Sequence, residues 1–322
     1  MANTAFRSWV RVWWVGDDFW YSSMRNPPTI PSPSELSKAS PASSANSIES
    51  KPLPQKFSMP SNLINSTISW FGLDASSLSF ASKFLMVYGA LMWLACGLTY
   101  IISLNDLRTI REVGIWVKPM KFMAATALFA WSTVWLTHLA NASVSHGEAY
   151  KGICALLVLT SLFEVVYITY QAALGEASHY NNTDKLHAIL YSLMGIVAVG
   201  LTASQAWLAW EIWKAQGDIA FSATGWGVVI GLALTFLLST ISGGLLGGIQ
   251  PPSGQGLPIV GWHLYKDIRP SHFLGVHAQQ FIPLLGLLAE RFLGTYATLG
   301  LGLGSIFYVM AWAFLTWASL SF

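Results

Sequence analysis

Between Asp267 and Gln280 the chain sets an acid, Arg269, two histidines and two amides at the start of an apolar run. Lipid makes such groups expensive, so their clustering marks a functional site. Neutral imidazole and carboxylate are suitable ligands for zinc or iron. Histidine also moves protons near neutral pH. At about 100° per residue, His272 and His277 lie roughly 140° apart on a helix, so both can border one cavity without standing in line. That spacing differs from the i, i+4 pair of a helical zinc motif. The candidate metal ligands are His179, His272, His277 and Asp267. The plainer alternative is an Asp267–Arg269 structural ion pair, with the histidines satisfying loop carbonyls.

Other segments carry groups of the same kind. Glu164 lies inside an apolar run, with Tyr167 and Gln171 at i+3 and i+7 on the same stripe. A carboxylate at that depth must be protonated, paired or metal-bound, and Lys121 or Arg269 is the expected partner. Lys118 and Lys121 share a helix face and, beside a helix N-terminus, could hold an anionic head group. The alternative for both is snorkelling to lipid phosphates. His179 and His187 flank a loop that also holds Asn181. The catalytic candidates are therefore Glu164, His179, Asp267 and His277. The substrate-binding candidates are Lys118, Lys121, Gln171, Asn181, Arg269 and Gln280. His138 and His146 belong to the other end of the chain's spans. Nucleophile-elbow, phosphate-loop and dinucleotide fingerprints are absent from the sequence.

The elements that position these residues follow from composition. Of 322 residues, 53% are hydrophobic and 10% charged, with a mean hydropathy of +0.49. Soluble domains carry about 25% charged residues. The pattern predicts an all-α, polytopic helical membrane bundle of about seven transmembrane helices, near 82–104, 118–140, 151–173, 186–213, 223–248, 271–290 and 296–320. The glycines after Ser242 predict close helix approach, with a backbone-lined ligand site as the alternative. Residues 1–60 read as a disordered Ser/Pro-rich tail or targeting segment, 61–80 as an interfacial connector, and 81–322 as the transmembrane domain. A start at Met59 is a further reading of the tail. Cys96 and Cys154 read as small core residues, and the 16 tryptophans fit aromatic belts. The formal charge of +2 gives no basis for a nucleic-acid partner.

An odd number of spans puts the loops near 105–117, 174–185 and 249–270 on one face. The polar segments then converge at one end of one bundle. The excess of lysine and arginine there predicts that this face is cytoplasmic. Sequons at Asn65 and Asn141 agree with that orientation, and one at Asn181 does not. Nothing in the chain fixes an oligomeric state.

The strings Lys118-Pro-Met-Lys-Phe122, Ser178-His179-Tyr180-Asn181 and Asp267-Ile-Arg269-Pro-Ser-His272-Phe-Leu-Gly275-Val-His277-Ala-Gln-Gln280 resemble those of a group of multi-pass membrane proteins known mainly as hypothetical bacterial sequences. The resemblance covers roughly residues 80–320. It implies that these segments act as a set and brings no activity with it. Span number and the use of histidines with an acid also resemble the membrane hydrolases that include alkaline ceramidases and adiponectin-type receptors. This chain departs from their His-x-x-x-His pair with His272-x-x-x-x-His277. Four functions stay open. The first is a membrane-embedded, metal-dependent or acid–base enzyme acting on a lipid or amphiphile in the bilayer. The second is a proton-coupled transporter using Glu164. The third is a haem-binding electron carrier using His187 and His277, and the fourth is a receptor or scaffold.

Overall fold

The structure is a computed structural model. It describes residues 73–74, 76–216, 222–248 and 266–321 in full, and the backbone alone of 252–257 and 261–264. The tail at 1–60, the sequon at Asn65 and most of the connector at 61–80 lie outside the described residues. The fold is helical: α1 (Phe80–Ser103), α2 (Val117–Asn141), α3 (Glu148–Leu174), α4 (Lys185–Gln216), α5 (Ala223–Gly248), α6 (Arg269–Leu293) and α7 (Ala297–Ser321). Two antiparallel hairpins interrupt it. They are β1 (Thr109–Ile110) with β2 (Val113–Gly114), and β3 (Pro252–Leu257) with β4 (Gly261–Leu264). Both fall in segments expected to be loops.

Six described stretches are long and apolar enough to cross a membrane. The last, Arg269–Ser321, spans 53 residues and holds both α6 and α7. A 3-10 turn at Gly294–Tyr296 lies between them. The two helices run antiparallel. Tyr308 donates to the Leu274 carbonyl at 2.6 Å, its ring lies 6.0 Å from Phe281, and Gly304 faces Leu285.

The outer surface is apolar, unlike a soluble protein's, and the largely apolar interior also holds polar groups. Phe80, Ile196 and Phe307 are 83%, 70% and 69% exposed on helix surfaces. Thr133, Ser204, Gln205, Thr235, Ser242 and Gln279 are fully buried. Lipid tails are as apolar as leucine, so the outward faces need no cover, while interior polar groups bond between and along helices. Thr133, Thr137 and Ser242 each donate to a carbonyl one turn back. The arrangement fits an integral membrane protein. Both cysteines are free and buried, as expected of small core residues.

Helix ends follow local chemistry. Ser79 caps α1 by accepting from the Ser82 amide at 3.1 Å. Gly175 ends α3 in the left-handed region at φ 77°. Asp184 caps α4 by accepting from the Leu186 and His187 amides at 2.8 and 3.0 Å. Pro270 opens α6 as expected.

The tightest seam joins α5 to α6, and it corrects one expectation. The close approach is made by Gly275 and Gly286, not by the glycines that end α5. A Cβ on Gly275 would lie 2.8 Å from the Ser239 nitrogen, and one on Gly286 would lie 2.6 Å from the Ala223 oxygen. Gly244 and Gly248 have nothing within 4 Å, while Gly243 meets the His272 ring at 3.3 Å. Of the late glycines, Gly243 and Gly247 sit beside polar side chains, His272 and Tyr191, where small size leaves room for a ring instead of a neighbouring helix.

Candidate functional site

The three sequence-distant polar segments do converge. The loop after α1, the loop after α3 and the start of α6 enclose a cavity of about 350 Å³ at one end of the bundle. Arg108 ties the first two together, donating to the Ala173 carbonyl at 3.1 Å. It also holds Asp106 at 2.7 Å and keeps that carboxyl far below the usual carboxylate range. Tyr180 ties the loop after α3 to the end of α5, donating to the Leu246 carbonyl at 2.8 Å. Burial pushes its phenol up to about 12, with Tyr191 adding to the effect.

The cavity's basic lining, among the described residues, is Lys118, Lys121 and Arg269. Lys118 Nζ donates to Ser178 Oγ at 2.9 Å and stands 5.9 Å from the centre of the Phe122 ring. Lys121 is exposed at the rim and repels Arg269 across it. Arg269 is held in a fork by Asp267, with Nε to Oδ1 at 2.7 Å and Nη2 to Oδ2 at 2.6 Å. A bidentate pair of this kind fixes the guanidinium plane, so Asp267 positions Arg269. Apolar Phe122, Ile168 and Ile115 complete the wall. The result is a largely apolar pocket whose wall, among the described residues, carries three cations and one carboxylate, that of Glu176.

Two histidines border it. His179 lies between the Phe122 and Tyr191 rings, at 6.2 and 5.8 Å between centres. Its Nδ1 is 3.3 Å from Ser178 Oγ. Desolvation, and after it the charge of Lys118, hold His179 well below its ordinary value, so it stands neutral. His272 points Nδ1 at Ser242 Oγ at 3.1 Å.

Of the residues expected to form the site, Lys118, Lys121, His179, Arg269 and His272 meet in this cavity. The others do not line it. His277 turns away, its ring 4.2 Å from Phe273 and its Nδ1 3.3 Å from Gln280 Oε1. Gln280 donates to Ser132 at 3.2 Å, and buried Gln171 donates to Tyr167 at 3.1 Å. Asn181 is buried and uses its oxygen on the Thr183 amide and hydroxyl. Glu164 is buried and faces Lys118, not Lys121 or Arg269 as expected. Its Oε1 has no hydrogen-bond partner among the described residues.

No three of His, Cys, Asp or Glu stand together to share a metal among the described residues. The expected set of His179, His272, His277 and Asp267 is not gathered, because His277 leaves on the other side of α6 and Asp267 is spent on Arg269. Among the described residues the donor set does not fit a metal centre. His187, expected as a haem ligand, has both ring nitrogens engaged, by Asp184 at 2.6 Å and Glu176 at 3.2 Å. What sequence reasoning missed is Ser178. It was visible only as a letter beside His179, since its contact with Lys118 crosses 60 residues of chain. No protein-family model matches this chain, and neither a curated protein nor a solved structure matches it.

Proposed function

We propose that this chain is a seven-span integral membrane protein, with α6 and α7 crossing separately. Its cavity receives an anionic amphiphile at one membrane face and acts on it as an enzyme. The single observation that carries this reading is the meeting of Lys118, Lys121 and Arg269, from sequence-distant segments, over an apolar floor. Anionic oxygens suit such cations, and a guanidinium already oriented by Asp267 binds them with less ordering to do. The hydrocarbon part of the ligand lies along Phe122 and Ile168. His179, neutral beside Ser178, handles the proton. The site face is cytoplasmic, by its excess of basic residues. Asn181, buried and bonded to Thr183, does not speak against that orientation.

The test is a titration of the protein in phosphatidylcholine nanodiscs with octyl phosphate and, separately, octyl glucoside. Octyl phosphate binds at least tenfold more tightly, and Lys121→Met or Arg269→Met removes most of the difference. Equal affinity for the two ligands sinks the proposal.

A second reading is a proton-coupled transporter. It is favoured by the orphaned oxygen of buried Glu164 behind Lys118. Substrate uptake into proteoliposomes that Glu164→Gln abolishes would decide for it.

A further inference from the structure

Buried serines and threonines in this bundle usually take a carbonyl one turn back, as Ser161, Ser242 and Thr137 do. Ser178 is buried too, at 4% exposure, yet its Oγ is bracketed by a cation and an imidazole in a cavity wall. Lys118 Nζ donates to Oγ at 2.9 Å, and His179 Nδ1 lies 3.3 Å from the same atom. With the ammonium donating, the hydroxyl hydrogen is left to point at Nδ1. The rings of Phe122 and Tyr191 flank the imidazole. Nucleophile, acceptor and a cation at the reacting oxygen are the parts of an acyl-transfer site.

We propose that Ser178 is the nucleophile of this cavity and His179 its general base, and that the substrate is an ester of an anionic amphiphile. This rests on the reading of the cavity given above. In the first step Ser178 Oγ bonds to the ester carbonyl carbon, and its proton passes to His179 Nδ1. The carbon–oxygen bond to the alcohol then breaks, and that proton leaves with the alcohol. In the second step water attacks the acyl-serine, His179 takes the water proton and returns it to Oγ, and the carboxylic acid departs. The Lys118 ammonium opposes the negative charge that gathers beside Oγ in both steps. Buried Glu164 stands behind Lys118 on the neighbouring helix. An anionic head group at Lys121 and Arg269 places the ester over Ser178 and offsets the positive field that otherwise disfavours a protonated His179.

The experiment treats the nanodisc-embedded protein with a decyl fluorophosphonate, which a reactive serine attacks at phosphorus with loss of fluoride. Intact mass and peptide mapping locate the adduct. One equivalent is expected on Ser178, none in Ser178→Ala, and labelling slowed by about a hundredfold or more in His179→Gln. Lys118→Met slows it by about tenfold or more. Octyl phosphate competes with labelling. Absence of an adduct on Ser178 in protein that still binds octyl phosphate overturns the nucleophile and leaves the amphiphile site standing. Absence of both overturns both. An unchanged labelling rate in a folded His179→Gln variant overturns the general base.

Discussion

The two ends of the bundle hold similar residues and treat them differently. At the end away from the cavity, charges settle locally. Lys151 pairs with Glu148 at 2.6 Å and Lys214 with Glu211 at 2.9 Å, each three residues apart on one helix. Glu290 accepts from the Thr224 amide and hydroxyl at 2.7 Å, holding the start of α5 against the end of α6. At the cavity end Arg269 also pairs locally, with Asp267 at 2.6 Å, but it shares a cavity wall with Lys118 and Lys121, which come from another helix. Local pairing uses a charge up in stabilising its own helix. Facing a shared space adds the fields of charges that come from different elements. The difference teaches that a polar cluster is informative when its members come from different elements, not when they are merely numerous.

The α5–α6 seam, which runs between the ends, offers the largest break in that comparison. Gly286→Ala at the local end and Gly275→Ala at the cavity end should each destabilise by about 1–3 kcal/mol, because backbone stands where the methyl must go. Chemical denaturation in mild detergent checks this. Only Gly275→Ala should also weaken octyl phosphate binding, since it displaces the start of α6. Next, Lys121→Met and Arg269→Met should each weaken that binding by about tenfold, near 1.4 kcal/mol, while Lys151→Met and Lys214→Met change it by less than about twofold. A calorimetric titration separates the two sets, and equal losses in both would erase the contrast.

A smaller effect comes with pH. His179 sits below its ordinary value of 6.5, so the unfolded chain takes up a proton that the folded chain refuses. The stability that this supplies is fully present above about pH 6.5 and is lost as pH falls through the lower folded value. The melting temperature should therefore drop between pH 7.5 and 5.5, and His179→Gln should flatten part of that slope. The least effect belongs to the local end. Lys151→Ala should lower stability by about 0.2–0.5 kcal/mol, the worth of one i, i+3 pair.

The helices were legible because lipid imposes a length and a composition on any crossing segment. The run expected at 118–140 is α2 at Val117–Asn141, and that expected at 223–248 is α5. Convergence of the polar loops was legible from their alternation along the chain. Depth and direction were not. His277 could be placed on its helix but not against Phe273, since helical angle alone does not say which neighbour lies beyond a face. Glu164 finds Lys118 because of how α2 packs on α3, a tertiary fact with no local signature. The β1–β2 hairpin lacked the Asn-Gly or Asp-Gly pair that announces such turns.

That hairpin carries Arg111 and Glu112 at φ 52° and 64°, a backbone that side chains other than those of glycine and asparagine adopt at a penalty on the order of 1–2 kcal/mol each. Ile110 and Val113, on either side of the turn, belong to the cavity wall, and the two strained residues do not. The chain thus places backbone strain beside the cavity wall while keeping it out of the lining itself. Replacing the pair with Asn-Gly is where thermostabilisation of this protein begins, and a variant that gains heat resistance but loses octyl phosphate binding would show that the turn was meant to give.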